Sequence, residues 1–224
     1  MNVEILYQTI GTVAKVGVDR GETIKVEPGA MISMTGELDF HTGMQGGFLK
    51  SIGRMFAGEN FFQNTYTATA DGQYVLLGQS LPGDISTIEV PQHGLGIQSS
   101  SYIASHEGVT VATTVGGLKK LFSGEGLFQL SADATGPGQH IVVGAFGGIQ
   151  QLDVDGEFIV DSGHLVAWDK TLSITPTKAS SGWIVSFLSG EGIVIKLTGT
   201  GRVWIQSRTP SGFGRRIGPQ LPPR

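Results

Sequence analysis

Residues 56–63 read FAGENFFQ, residues 121–129 read LFSGEGLFQ and residues 187–195 read FLSGEGIVI, one phrase written three times in a chain of 224 residues. Its shared pair falls at Gly58 and Glu59, at Gly124 and Glu125, and at Gly190 and Glu191; both intervals, 124 less 58 and 190 less 124, are 66 residues. Self-similarity at a fixed period marks a repeated structural unit and constrains the fold before any propensity is weighed. Other features keep the register: GGFLKSIGRMF (46–56) is answered by GGLKKLF (116–122), and DGQYVLLG (71–78) by PGQHIVVG (137–144). A second shared element, a small residue followed by alternating apolar side chains, recurs as PGAMISM (28–34), SSYIASH (100–106) and SGHLVAW (162–168). Its spacing drifts by several residues, as loop insertions allow.

Within each copy the period is that of strands. In NTYTATADGQYVLLGQ (64–79) alternating side chains lead to Asp71 and Gly72, a favoured two-residue hairpin turn, and then to an apolar run. VATTVGG (111–117), FIVDSGHLVAW (158–168) and GRVWIQS (201–207) continue the pattern. Two stretches differ: Phe48, Ile52, Met55 and Phe56, and again Leu118, Leu121 and Phe122, have the spacing of a short amphipathic helical turn. The expectation is an all-β fold of three β-sandwich repeats of about 66 residues in a pseudo-threefold arrangement, since units this small bury their apolar faces by stacking. The repeats span about 1–80, 81–146 and 147–210 in one β domain, followed by a basic Gly/Pro/Arg tail, 211–224, extended over a surface. Gly58, Glu59, Gly124, Glu125, Gly190 and Glu191 are read as equivalent structural turns, the glycine permitting the bend and the glutamate meeting backbone N–H groups or a basic side chain.

Composition agrees and narrows the function classes. The 35 glycines, with only 15% charged residues, suit short strands joined by tight turns, and 39% hydrophobic residues suffice for a substantial core. With no cysteine there is no disulfide, thiolate ligand or cysteine nucleophile, which fits a reducing compartment. MNVEILYQTIGTVAKVGV (1–18) does not read as a signal peptide, and no apolar run reaches the length of a bilayer span, so the expectation is a cytoplasmic protein. Net charge is −4, unevenly spread: beyond Glu191 stand only basic residues, Lys196, Arg202, Arg208, Arg215, Arg216 and Arg224, leaving 9 of the 15 basic residues against all 19 acidic ones in the body. An acidic body disfavours nucleic acid as a partner, and two basic helical turns bury too little apolar area for firm contact with a membrane surface.

No motif specifies a reaction. His41, His93, His106, His140 and His164 are scattered, with no H-x-H and no H-E-x-x-H, so a metal would need distant side chains to converge. His164 with Asp161, Ser162 and Asp169 could be offered as a hydrolytic set, but strand alternation sends neighbours to opposite faces and no G-x-S-x-G elbow accompanies them. Glycine patterns such as GTGRVW (199–204) and GAFGG (144–148) lack the helix start that would aim N–H groups at a phosphate. The sequence therefore offers no catalytic, cofactor-binding or metal-ligating set.

Four segments in order, EPGAMISM (27–34), GGFLKSIGRMFAGENFFQNTYTA (46–68), VDSGHLVAW (160–168) and GTGRVWIQS (199–207), resemble the altered-inheritance-of-mitochondria protein 24 family over nearly the whole chain. The resemblance implies a fold like that of the tryptophan RNA-binding attenuation protein, double-stranded β-helix-like, with β-sandwich repeats that assemble around an axis. It implies no enzyme activity, no cofactor and no catalytic residues. The eukaryotic member's targeting sequence and inner-membrane association do not transfer to a chain that starts at the domain. The functional expectation is a non-catalytic scaffold or binding module that forms a homo-oligomer, at least a dimer and most simply a trimer, because short strands leave sheet edges to be covered. Other protein partners are compatible with it. The alternative is RNA binding, and the third reading is an enzyme with a site between repeats.

Overall fold

Where apolar and polar side chains alternate, the chain pairs as strand. Of β2 (Val13–Val18) every second residue is buried, placing Ala14, Val16 and Val18 in the core, and β3 (Thr23–Val26) does the same with Ile24 and Val26. The computed structural model describes residues 1–8, 11–43, 63–114, 129–177 and 194–222. The Gly-Glu pairs at 58, 124 and 190, and both predicted helical turns, lie outside those residues.

After β1 (Asn2–Leu6), strands fall into three runs. The first continues from β2 and β3 through β4 (Met31–Met34), β5 (Leu38–Gly43), β6 (Gln63–Ala68) and β7 (Gln73–Leu77). The second comprises β8 (Ile85–Glu89), β9 (Leu95–Gln98), β10 (Tyr102–His106), β11 (Val109–Thr113), β12 (Gln129–Ala134) and β13 (His140–Gly144). In the third, β14 (Ile149–Asp161) and β17 (Val194–Gln206) are each 13 residues long and flank β15 (Leu165–Asp169) and β16 (Ser173–Thr177). Their length has a local cause. The first two runs turn from one sheet into another at left-handed glycines, Gly21 and Gly72, then Gly94 and Gly138; in the third, Gly156 and Gly199 have positive φ but sit directly opposite each other within one ladder, and the strands run on through them.

Pairing is antiparallel and follows one scheme in each run: β5–β6, β6–β3, β2–β7 and β7–β4; β11–β12, β12–β9, β8–β13 and β13–β10; then β16–β17, β14–β17 and β15–β17. The finest shared detail is a one-residue register shift in the strand built from the second repeated sequence element. It separates Met31↔Leu77 from Ser33↔Leu76, Tyr102↔Val143 from Ala104↔Val142, and Leu165↔Ile205 from Ala167↔Trp204. Such a shift re-aims the side chains beyond it.

Successive runs are joined by strand pairing. β10 pairs β3 with Ala104 opposite Val26 and Ser105 opposite Lys25, and β15 pairs β9 with Ala167 opposite Ile97 and Trp168 opposite Gly96. Each junction also carries core. The cluster around Val16, Ile24, Tyr66 and Leu77 takes in Ile103 and Ala104 from the second run, and that around Ile97, Leu130 and Ile141 takes in Val166 and Ala167 from the third. At ~1.5–3 kcal/mol for a fully buried Val or Ile, Ile103 and Val166 help to hold run to run. The third cluster, around Val154, Val160, Leu165 and Ile195, receives no such insertion among the described residues.

The last segment differs from expectation. Rather than extending, it forms α1 (Pro210–Ile217): Thr209 Oγ1 accepts from the Gly212 N–H as N-cap, Pro210 occupies the first turn, and Phe213 packs edge-on against Phe146 with ring centroids 5.3 Å apart. No residue of α1 is buried. Among the described residues no helix is long and apolar enough to cross a membrane.

Candidate functional site: paired charges at one junction and exposed sheet edges

The densest charged cluster lies where the second and third runs meet. Asp169, the last residue of β15, is 3% exposed. Its Oδ2 accepts from Arg202 Nε at 2.9 Å and from the Arg202 backbone N–H at 2.8 Å, while Oδ1 accepts from Nη2 at 2.9 Å and lies 3.4 Å from His93 Nε2. The guanidinium also stands over the Trp204 ring, 5.0 Å from its centroid. Burial works to raise the Asp169 carboxyl, but the bidentate Arg202 contact and its backbone N–H prevail and hold it below the usual carboxylate value. Beside the pair is an open depression of about 450 Å³ lined by Glu89, Pro91, Gln92, Thr135, Pro137 and Arg202. Both carboxylate oxygens are committed to Arg202, so Asp169 serves as an anchor and not as a base.

The same bridge recurs at the corresponding point of each run: Thr35 Oγ1 accepts from the Tyr74 N–H at 3.1 Å and His106 Nδ1 from the His140 N–H at 2.8 Å. A hydroxyl, an imidazole and a carboxylate thus do one job, satisfying a backbone donor beside the register shift. No residue-type motif announces it, since the three side chains share only acceptor capacity. The pairing frame was its one signal.

Three residues of the hydrolytic set have structural partners. Asp161 Oδ1 accepts from the Gly163 N–H at 2.8 Å, His164 Nδ1 is 2.6 Å from the Gln206 carbonyl oxygen, and Asp169 is held by Arg202. His106 and His140 are neighbours at 5.7 Å between ring centroids, but no group of three or more potential metal ligands forms among the described residues. Burial pushes the Glu27 carboxyl up to about 7 at the first junction, where the Glu27 N–H donates to the Ile103 carbonyl at 2.8 Å.

Exposed apolar side chains are concentrated elsewhere. Ile32 and Met34 on β4 are 55% and 40% exposed, and Ile159 on β14 is 55% exposed. The residues at the corresponding place of β10 and β15, Ile103 and Val166, are 1% and 0% exposed. Among the described residues β4 pairs only β7, and β14 only β17, so each has a free edge. Among the described residues inter-run junctions are therefore made twice, and β4 and β14 are not joined to each other.

These features define an all-β protein of serially joined strand units that presents sheet edges and a structural ion pair. The chain belongs to the family described as Mitochondrial biogenesis AIM24, which matches residues 3–208 and bears out the resemblance read from the sequence. It is similar to an uncharacterized protein of Streptococcus pyogenes serotype M6, 25% identical over 220 residues that cover 93% of this chain and 86% of the relative. A crystal structure of another Streptococcus pyogenes protein superposes with a TM-score of 0.80 over 98% of this chain and 99% of that one, at 22% identity, which establishes the fold.

Proposed function

We propose that this protein is a non-catalytic scaffold or binding module that works by self-assembly, its working surfaces being sheet edges. The observation that carries this is the exposed apolar strand β4, whose counterparts in the other runs are buried in strand junctions. A row of N–H and C=O groups that no described strand pairs, flanked by Met31, Ile32 and Met34, is costly to leave in water and invites another strand. The charged groups support the same reading, because Asp169 with Arg202, and Lys196 with Glu157 at 2.8 Å, are paired with each other. Two of the six basic residues beyond Glu191 are thereby absorbed by the fold, which reduces the charge left for a polyanion.

Light scattering on the full chain tests this. The expected mass is a multiple of the 23.6 kDa chain mass across micromolar concentrations. A monomer throughout that range would overturn self-assembly, and a salt-dependent shift with RNA at physiological ionic strength would replace the scaffold reading with the nucleic-acid one.

A further inference from the structure

The inter-run junctions have a fixed grammar. In each, the strand residue lying five positions before the start of its own run's shifted strand faces a small residue of the next run's shifted strand: Val26, five before Met31, faces Ala104, and Ile97, five before Tyr102, faces Ala167. One position back, Lys25 faces Ser105 and Gly96 faces Trp168; two back, Ile24 faces His106 and Leu95 faces Asp169. In the third run the corresponding residue is Val160, five before Leu165, and no fourth run follows it. At the other end of the chain, β4 has the same one-residue shift as β10 and β15 and no preceding run. Ser33 stands where Ala104 and Ala167 stand, again a small side chain.

We infer that β14 at residues 158–160 pairs with β4 of a second copy of this chain, antiparallel and head to tail, with Val160 opposite Ser33, Ile159 opposite Met34 and Phe158 opposite Thr35. Three observations converge on this occupant. The two edges are complementary halves of a junction the chain already makes twice. Ile159 and Met34, opposite each other in the derived register, are both exposed and would cover each other. Ile32 holds the place from which Ile103 and Val166 enter the preceding run's core, and the third cluster, around Val160 and Ile195, is the one that lacks such an insertion. The outer edges of β1, β5, β8 and β11 do not qualify, because none of these strands takes part in an inter-run junction. The contact is heterologous: each copy keeps one edge of each kind, so chains add in one direction until a ring closes.

This inference rests on the self-assembly reading but fails separately from it. The experiment uses full-length chains and light scattering. Met34→Lys blocks the β4 edge and Ile159→Lys the β14 edge; both sites are exposed, so circular dichroism melts should match the parent. Each variant alone is expected to lose the oligomer and run at the 23.6 kDa chain mass. Mixed, they are expected to form a capped pair of twice that mass, because one retains β14 and the other β4. A chain carrying both Met34→Lys and Ile159→Glu is expected to regain the parental oligomer through the opposite charges at the derived register. Should Met34→Lys melt early, Ile32→Glu blocks the same edge. If the parent is an oligomer that both single variants preserve, or if only the β4 variant dissociates, as a symmetric β4–β4 contact requires, the head-to-tail pairing is wrong while self-assembly stands. A monomeric parent overturns both.

Discussion

Two carboxylates with opposite shifts give opposite pH behaviour. Glu27 is raised by burial from an ordinary 4.5 to about 7, so the folded protein holds a proton that the unfolded chain has released over that interval. Stability from this group is intact below 4.5, falls as pH rises towards about 7 and stays reduced above it. Glu27→Gln is therefore expected to leave the urea midpoint unchanged at about pH 4 and to raise stability at about pH 8 by ~1–2 kcal/mol, the figure discounted for partial solvent screening. Asp169 is shifted the other way: its contribution is complete above the ordinary 3.8 and disappears as pH falls through the lowered value. Asp169→Ala strands the Arg202 guanidinium and a backbone N–H, which at neutral pH should cost about 2–3 kcal/mol, less than a fully buried pair because Arg202 is a third exposed. The difference between parent and variant should shrink in acid; a difference that persists undiminished well below pH 3.8 would remove Asp169's charge from the account.

Strand junctions depend on small residues meeting large ones. A Cβ on Gly96 would overlap the indole ring of Trp168, its partner across the β9–β15 junction, whereas one on Gly17 in β2 would meet nothing closer than the Asn2 carbonyl oxygen at 3.6 Å. Gly96→Ala should therefore destabilise by about 1–3 kcal/mol through overpacking. Gly17→Ala should be neutral or stabilising by about 0.5 kcal/mol, since its backbone is ordinary strand and alanine restricts the unfolded chain. Equal effects in thermal melts would show that the junction yields and that packing there is not what seats Trp168.

At the level of the full chain, α1 is an appendage. Its hold on the body is the Phe213 ring against Phe146, together with a cap at Thr209, and no α1 residue is buried. Truncation before Ser211 should cost roughly 0.5–1.5 kcal/mol, the worth of one aromatic pair, and move Tm by a few degrees. A loss of ten degrees or more would make the segment part of the core. The same deletion should leave the light-scattering mass unaltered, because neither β4 nor the 158–160 edge contacts α1 through any described hydrogen bond.

The strand nature of this chain was legible in local sequence because period-2 alternation and left-handed turn glycines act within a few residues: Asp71 with Gly72 and Pro137 with Gly138 mark turns that the folded chain makes with positive φ at the glycine, although the turn at Gly72 is a corner between two sheets and not the expected hairpin, since β6 pairs β3 and β7 pairs β2. The second repeated element was legible for the same reason, since a small residue before an alternating apolar run is a local pattern; it became the three register-shifted strands β4, β10 and β15. The Gly-Glu phrase that made the period visible lies outside the described residues. Tertiary structure decided what local pattern could not. Thr35, His106 and Asp169 share no chemistry except an acceptor atom, and their common role exists only because pairing brings Tyr74, His140 and Arg202 opposite them. The helix at the C-terminus, which composition alone did not suggest, needed Phe146 to be in place for Phe213 to settle against. Which edges stay open could not be read from MISM, YIASH or LVAWD, because the three segments are alike as strands; a strand is buried or exposed according to whether a run precedes it, and β4 has none.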